Sequence, residues 1–154
     1  MLQIIQHPVA QPDPTLSKVA VPVERLKLAK RRWRGSAADG LEFGFELHAP
    51  LKDGAVVWQT SIARYLIRQL PEAVLEISLE ITPAAAAGIG WAIGNLHLEL
   101  SAETERLLTA DEPAVRQLLD RLQVPFTPTT ALFRPGRFAR GNKSTDELGT
   151  SHKH

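Results

Sequence analysis

The sequence predicts an α+β protein in two parts, and three observations carry that reading. Residues 1–72 are cut by Pro and Gly into short β-type runs. From residue 73 to residue 134 strand-like alternation trades places with helix-like stretches. Residues 135–154 are polar, Gly-rich and aperiodic, and read as a flexible tail.

In the first part, "LQII", "VAVPV", "LEFGFELH", "AVVWQ" and "IARYLIRQL" read as strands. Turn signals at Pro12-Asp13-Pro14, Asp39-Gly40 and Asp53-Gly54 separate them. No amphipathic helix is expected here, so residues 1–72 form a β-rich domain.

In the second part, "VLEISLEI" (Val74–Ile81) alternates, with Leu75, Ile77, Leu79 and Ile81 on one face. Thr82 then offers an N-cap and Pro83 a first helical position. The helix "PAAAAGIGWAIG" keeps Gly88 and Gly90, which suggests close packing onto a sheet, and Gly94 is its expected stop. "LHLEL" resumes strand alternation and sets His97 on the face opposite Leu96, Leu98 and Leu100. Arg106–Leu108 adds a short strand. Thr109-Ala110-Asp111-Glu112 has the form of a capping box. Val115, Leu118, Leu119 and Leu122 then follow helical spacing. "PFTPTTALF" closes as an edge strand, because Pro125 and Pro128 cannot donate to a ladder. The order β-α-β-β-α-β is the ferredoxin-like arrangement. Both helices are expected on one face of a four-stranded sheet, with the other face open.

Composition removes several functions. The chain has no cysteine, which excludes disulfides, thiolate metal sites and cysteine nucleophiles. Its formal net charge is +1, with residues 1–73 at +3 and residues 74–154 at −2. That balance is too slight for bulk nucleic-acid binding. No apolar run approaches the ~20 residues that span a bilayer, and the first residues lack the pattern of a signal peptide. A soluble cytoplasmic protein is the expectation. Enzyme motifs are missing: "GIGWAIG" lacks the register of a phosphate-binding loop, no G-x-S-x-G occurs, and no carboxylate pair suggests acid–base work. The chain is not expected to be an enzyme.

Two features remain. Five histidines occur, His7, His48, His97, His152 and His154, without metal-ligand spacing between them. His97 has two readings, a solvated histidine or one half of a site completed across a two-fold axis. Paired neutral imidazoles suit nickel, copper or zinc. His152-Lys153-His154 has the same two readings, a solvated ending or a mobile pair of further ligands. The run "RLKLAKRRWR" (Arg25–Arg34) holds six cations in ten residues with Trp33 among them. It reads either as a solvated strand face or as a contact for an acidic protein or RNA, with Arg31, Arg32 and Arg34 as partner-binding candidates.

Taken in order, "RLKLAKRRWRGSAADGLEFGFEL", "LKDGAVVW", "PEAVLEI", "GWAIGNLHLEL", "ERLLTADEPAVRQLLDRL" and "FRPGRF" resemble the urease accessory protein UreE family of nickel metallochaperones. Gly94, Asn95 and His97 carry the most specific element. The resemblance implies a β-rich domain similar to a peptide-binding chaperone domain, ahead of a ferredoxin-like domain that binds metal and dimerises. It places the family's metal histidine at His97, bridging two subunits. It implies Ni2+ as cargo, with Zn2+ or Cu2+ as other ions for the same site. The implied partners are a second copy, the urease accessory GTPase and the urease apoprotein complex. In this reading His152 or His154 completes the site. The alternative is a non-catalytic protein- or RNA-binding adaptor working through Arg25–Arg34. Three departures from the family pattern stand out: Leu96 where an Arg is usual, "FRPGRFARG" without the usual Pro-Glu and Gly-Ala-Tyr element, and only two histidines in the tail.

Overall fold

A computed structural model describes residues 2–138 and 146–147. The chain divides into two compact units, Met1–Leu70 and Pro71–His154. Among the described residues no helix is long and apolar enough to cross a membrane.

The first unit is built from two three-stranded sheets. One has the order β1-β4-β3, from β1 (Leu2–Ile5), β3 (Arg32–Ser36) and β4 (Glu42–Glu46). The other has the order β2-β6-β5, from β2 (Ser17–Val23), β5 (Val56–Gln59) and β6 (Ala63–Gln69). Alternation drives one face of each into a shared core of Ile5, Val21, Val23, Trp33, Phe43, Phe45, Tyr65 and Ile67. Aromatic contacts tighten it. Trp33 stacks on Phe45 with ring centroids 4.0 Å apart, and Phe43 meets Tyr65 edge-on at 5.7 Å. Five of the six strands lie in the runs bounded by Pro, Gly and turn signals. The basic run is the exception, because it splits into a one-turn helix α1 (Arg25–Leu28) and strand β3. Leu28 explains the turn, since it is buried at the end of an otherwise charged stretch.

The Tyr65 hydroxyl donates to Asp39 Oδ2 at 2.6 Å, tying β6 to the turn between β3 and β4. This bond, with the Leu41 N–H, holds the Asp39 carboxyl below its usual range. The same bond raises the Tyr65 phenol.

The second unit is a mixed α+β layer. Its strands β7 (Glu72–Ser78), β8 (Leu100–Ala102), β9 (Arg106–Ala110) and β10 (Thr127–Ala131) pair antiparallel in the order β10-β7-β9-β8. Helices α2 (Pro83–Asn95) and α3 (Pro113–Arg121) interrupt them, giving the chain order β-α-β-β-α-β. Leu75, Ile77, Leu107, Ile93, Val115, Leu118 and Leu119 form the core. β10 lies at the sheet's edge, where Pro128 costs the ladder nothing.

Several local expectations are corrected. The sheet has six strands rather than four, because β11 (Arg137–Phe138) adds parallel to β8 and β12 (Asp146–Glu147) adds to β11. The second face is not fully open: Val74, Leu108 and Phe133 form a small buried cluster on it. Thr109 is not a cap. It stays in β9, fully buried, because the ladder continues to the Val74–Ala110 pair. Glu112 takes the cap position of α3 without a side-chain cap bond, and Asp111 instead pairs with Arg116 through two bonds at 2.7 and 3.0 Å. Thr82 does cap α2, accepting from the Ala85 N–H at 3.1 Å.

The largest correction concerns residues 94–98. Gly94 does not stop the helix, and no strand begins at Leu96. The helix runs through Asn95, and the chain then closes with two bonds, Leu98 N–H to Ile93 C=O at 3.2 Å and His97 N–H to Gly94 C=O at 2.9 Å. This is a Schellman closure, with Leu96 as C-cap and His97 at the position that glycine usually fills. His97 accordingly has φ +57. Leu98 packs against the cluster that contains Ile93, supplying the apolar contact that accompanies such closures.

Two outcomes are expected of the fold. His97→Gly should raise stability by about 1 kcal/mol in urea denaturation, because glycine carries no Cβ penalty in the left-handed region, whereas His97→Val should lower it. Asp39 titrates lower folded than unfolded, so its contribution is complete above its ordinary value of 3.8 and lost as pH falls through the folded value. Tyr65→Phe should therefore flatten the acid limb of a thermal-unfolding profile taken from neutral pH to about pH 3.

Candidate functional site

Helix α2 has an unusual distribution of side chains. Its sequence is almost wholly apolar, yet Ile93 is the one residue in it that is buried. An apolar helix of this kind normally has partners on every side. Here Ala86, Ile89 and Gly90 turn toward the sheet with Ile93, whereas Ala84, Ala87, Gly88, Trp91, Gly94 and Asn95 lie exposed. Trp91 is 70% exposed and Leu96 47%. The glycines do not serve close packing on the sheet. A Cβ at Gly88 or Gly94 would meet nothing within 4 Å, and one at Gly90 only Leu100 Cδ2 at 3.9 Å. What they leave is a smooth stripe with one large indole at its centre.

His97 stands at the end of this stripe. It is exposed, and its imidazole has no protein partner among the described residues. Its left-handed backbone lies between α2 and β8. Both ring nitrogens are therefore available to an ion or a second chain. Among the described residues no three His, Asp or Glu side chains gather closely enough to hold a metal ion. One subunit brings a single imidazole to this point. His152 and His154 lie outside the described residues.

On the sheet face away from the helices, Arg106, Glu103 and Glu76 are committed to each other. Arg106 donates to Glu103 Oε1 at 2.6 Å and to Glu76 Oε2 at 3.2 Å. The Glu103 carboxylate, then Glu76, raises the Arg106 guanidinium, while its partial burial opposes them.

In the first unit, Arg32 and Arg34 project from the same face of β3 on either side of buried Trp33. Arg31 precedes the strand, and its C=O accepts from the Leu47 N–H at 2.8 Å. All three arginines are exposed. The residue that sequence reasoning passed over is Trp91. Its signal was an aromatic set among Ala and Gly in a helix without an apolar stripe to place it inward.

The comparisons with known proteins agree with one another. Residues 72–154 match the family described as UreE urease accessory protein, C-terminal domain. The chain is 32% identical over 118 residues to the urease accessory protein UreE of Deinococcus radiodurans, covering 75% of this chain and 76% of that protein. It is 34% identical over 101 residues to the urease accessory protein UreE of Bifidobacterium longum subsp. infantis, covering 64% of this chain. That second match spans 45% of the Bifidobacterium protein, so the chain corresponds to less than half of it. The chain belongs to the urease accessory protein UreE family.

Proposed function

We propose that this protein is a homodimeric carrier that binds Ni(II) and delivers it during assembly of the urease active site. It acts as a chaperone rather than a catalyst. The observation that carries the reading is the exposed, left-handed His97 at the end of an unpartnered apolar stripe on α2. Two copies meeting stripe to stripe about a two-fold axis would cover Trp91 and bring two imidazoles to one ion. The exposed Gly88 and Gly94 allow the backbones to approach. We read the second unit's strand order as the ferredoxin-like scaffold for this arrangement, and residues 73–134 as the metal-binding and dimerisation domain.

Two imidazoles leave most coordination positions open, so the ion stays exchangeable, which suits delivery. His152 and His154 are proposed to complete the site transiently. The family's names support urease as the destination, with the accessory GTPase and the urease apoprotein complex as partners. Zn2+ and Cu2+ suit the same nitrogen ligands and are expected to compete. The setting we propose is the cytoplasm.

Calorimetric nickel titration tests the site. The full chain should bind one ion per dimer, and His97→Ala should lose at least about tenfold in affinity. Affinity should fall on acidification, because protons compete for the imidazole lone pair. Undiminished tight binding by His97→Ala would sink the proposal. Trp91→Glu places a charge in the centre of the stripe. In sedimentation it should shift the protein toward monomer, and nickel affinity should drop with it. A Trp91→Glu dimer as stable as the parent would show that the stripe faces solvent instead.

A further inference from the structure

Strand β3 forms one edge of the β1-β4-β3 sheet. Two backbone bonds set the phase of its ladder: Leu47 N–H to Arg31 C=O and Ala37 N–H to Leu41 C=O, each 2.8 Å. In an antiparallel pair the residues bonded across the ladder alternate with residues that turn their groups the other way. Residues 31, 33, 35 and 37 therefore face β4. Arg32, Arg34 and Ser36 turn their main-chain N–H and C=O groups away from it, toward the edge.

The same three residues are exposed on the face opposite the core. At one end the edge is closed, since the Ala38 N–H bonds the Ala20 C=O at 2.8 Å. From Ser36 back to Arg32 no such bond continues among the described residues. A depression of about 300 Å3 reaches from Pro22, Lys27, Arg34 and Ser36 at this edge across to Glu42 and Leu2 on the neighbouring strands. Pro22 has no N–H to offer the edge. Lys27, Arg32 and Arg34 are exposed, and none forms an ion pair among the described residues.

Open main-chain groups on the residues that carry the cations, with the carboxylates of Glu42 and Glu46 on the β4 side and none supplied from the edge side, describe a specific occupant. We propose that the Arg32–Ser36 edge takes up an extended, acidic segment of a partner protein by strand addition. The main-chain groups of Arg32, Arg34 and Ser36 supply the ladder, and carboxylates at alternate positions of the added strand lie beside Arg32 and Arg34. RNA would satisfy the cations but has no peptide ladder to match the edge, so the geometry favours a polypeptide. This surface is independent of His97 and of the metal.

The test uses the full chain and a fluorescent peptide of alternating Glu and Val, with a Lys/Val peptide and a single-stranded oligouridine as comparisons. The Glu/Val peptide should bind in preference to both. Arg32→Glu with Arg34→Glu should weaken it about tenfold or more. Ser36→Pro is the discriminating variant. It removes an outward N–H without changing charge and leaves the bonds to β4 in place, so binding should fall while thermal unfolding and nickel binding stay as in the parent. Three results would overturn the proposal: no preference for the Glu/Val peptide, equal or tighter binding of oligouridine, or loss on charge reversal with no loss in Ser36→Pro. The last would mean plain charge attraction, and the first would mean that the arginines only keep sheet edges of separate copies apart.

Discussion

One buried side chain, Ile93, sets the conditions for the rest of the second unit. It is the sole residue of α2 that is fully withdrawn from solvent. It therefore fixes which way the helix faces. Its carbonyl also accepts the Leu98 N–H that closes the helix. Phase and closure thus share one residue. Given that phase, the Ala/Gly stripe and Trp91 must face outward, and given that closure, residue 97 must sit in the left-handed region. A histidine is placed where glycine would be easier. Local comfort is given up at the one position that the proposed function needs.

Exposed position and missing partners belong together in this account. A histidine buried beside carboxylates would hold its ion firmly within one chain. An exposed histidine with no neighbouring ligand holds little by itself and gains ligands only from another molecule. In the proposed dimer, symmetry would supply the second imidazole without a second motif in the sequence. In the proposed cycle, exchange onto a partner's ligands would then release the ion. Leu96, the C-cap residue, is 47% exposed beside His97. An apolar neighbour there adds to the stripe and puts no charge beside the imidazole.

Much of the fold was legible because burial imposes periods. Runs bounded by Pro and Gly located β1, β2, β4, β5 and β6, alternation located β7, and helical spacing located α3, whose buried residues are Val115, Leu118 and Leu119. Pro and Thr signals located the start of α2 and the edge strand β10. Illegible parts were those where long-range pairing or helix closure overrode local pattern. "LHLEL" alternates, but the carbonyls at the end of α2 claim its first residues. Thr109 and Glu112 have capping spacing, but β7 holds Thr109 in the ladder. The cations of Arg25–Arg34 have no period, and only the register with β4 shows that Arg32 and Arg34 share a face. His97 was legible as a candidate through its Gly-Asn context, whereas its conformation was not, because the sequence places no glycine there to announce it.

The central claim is that one ion requires His97 from both subunits. Mixed dimers test it most directly. Chains of the parent sequence and of His97→Ala, carrying different affinity tags, are combined and the mixed species purified for nickel titration. A dimer with a single His97 should bind nickel as weakly as the dimer with none, at least about tenfold below the parent. A mixed dimer that retains parental affinity for one ion, or two independent ions bound per parent dimer, would contradict it.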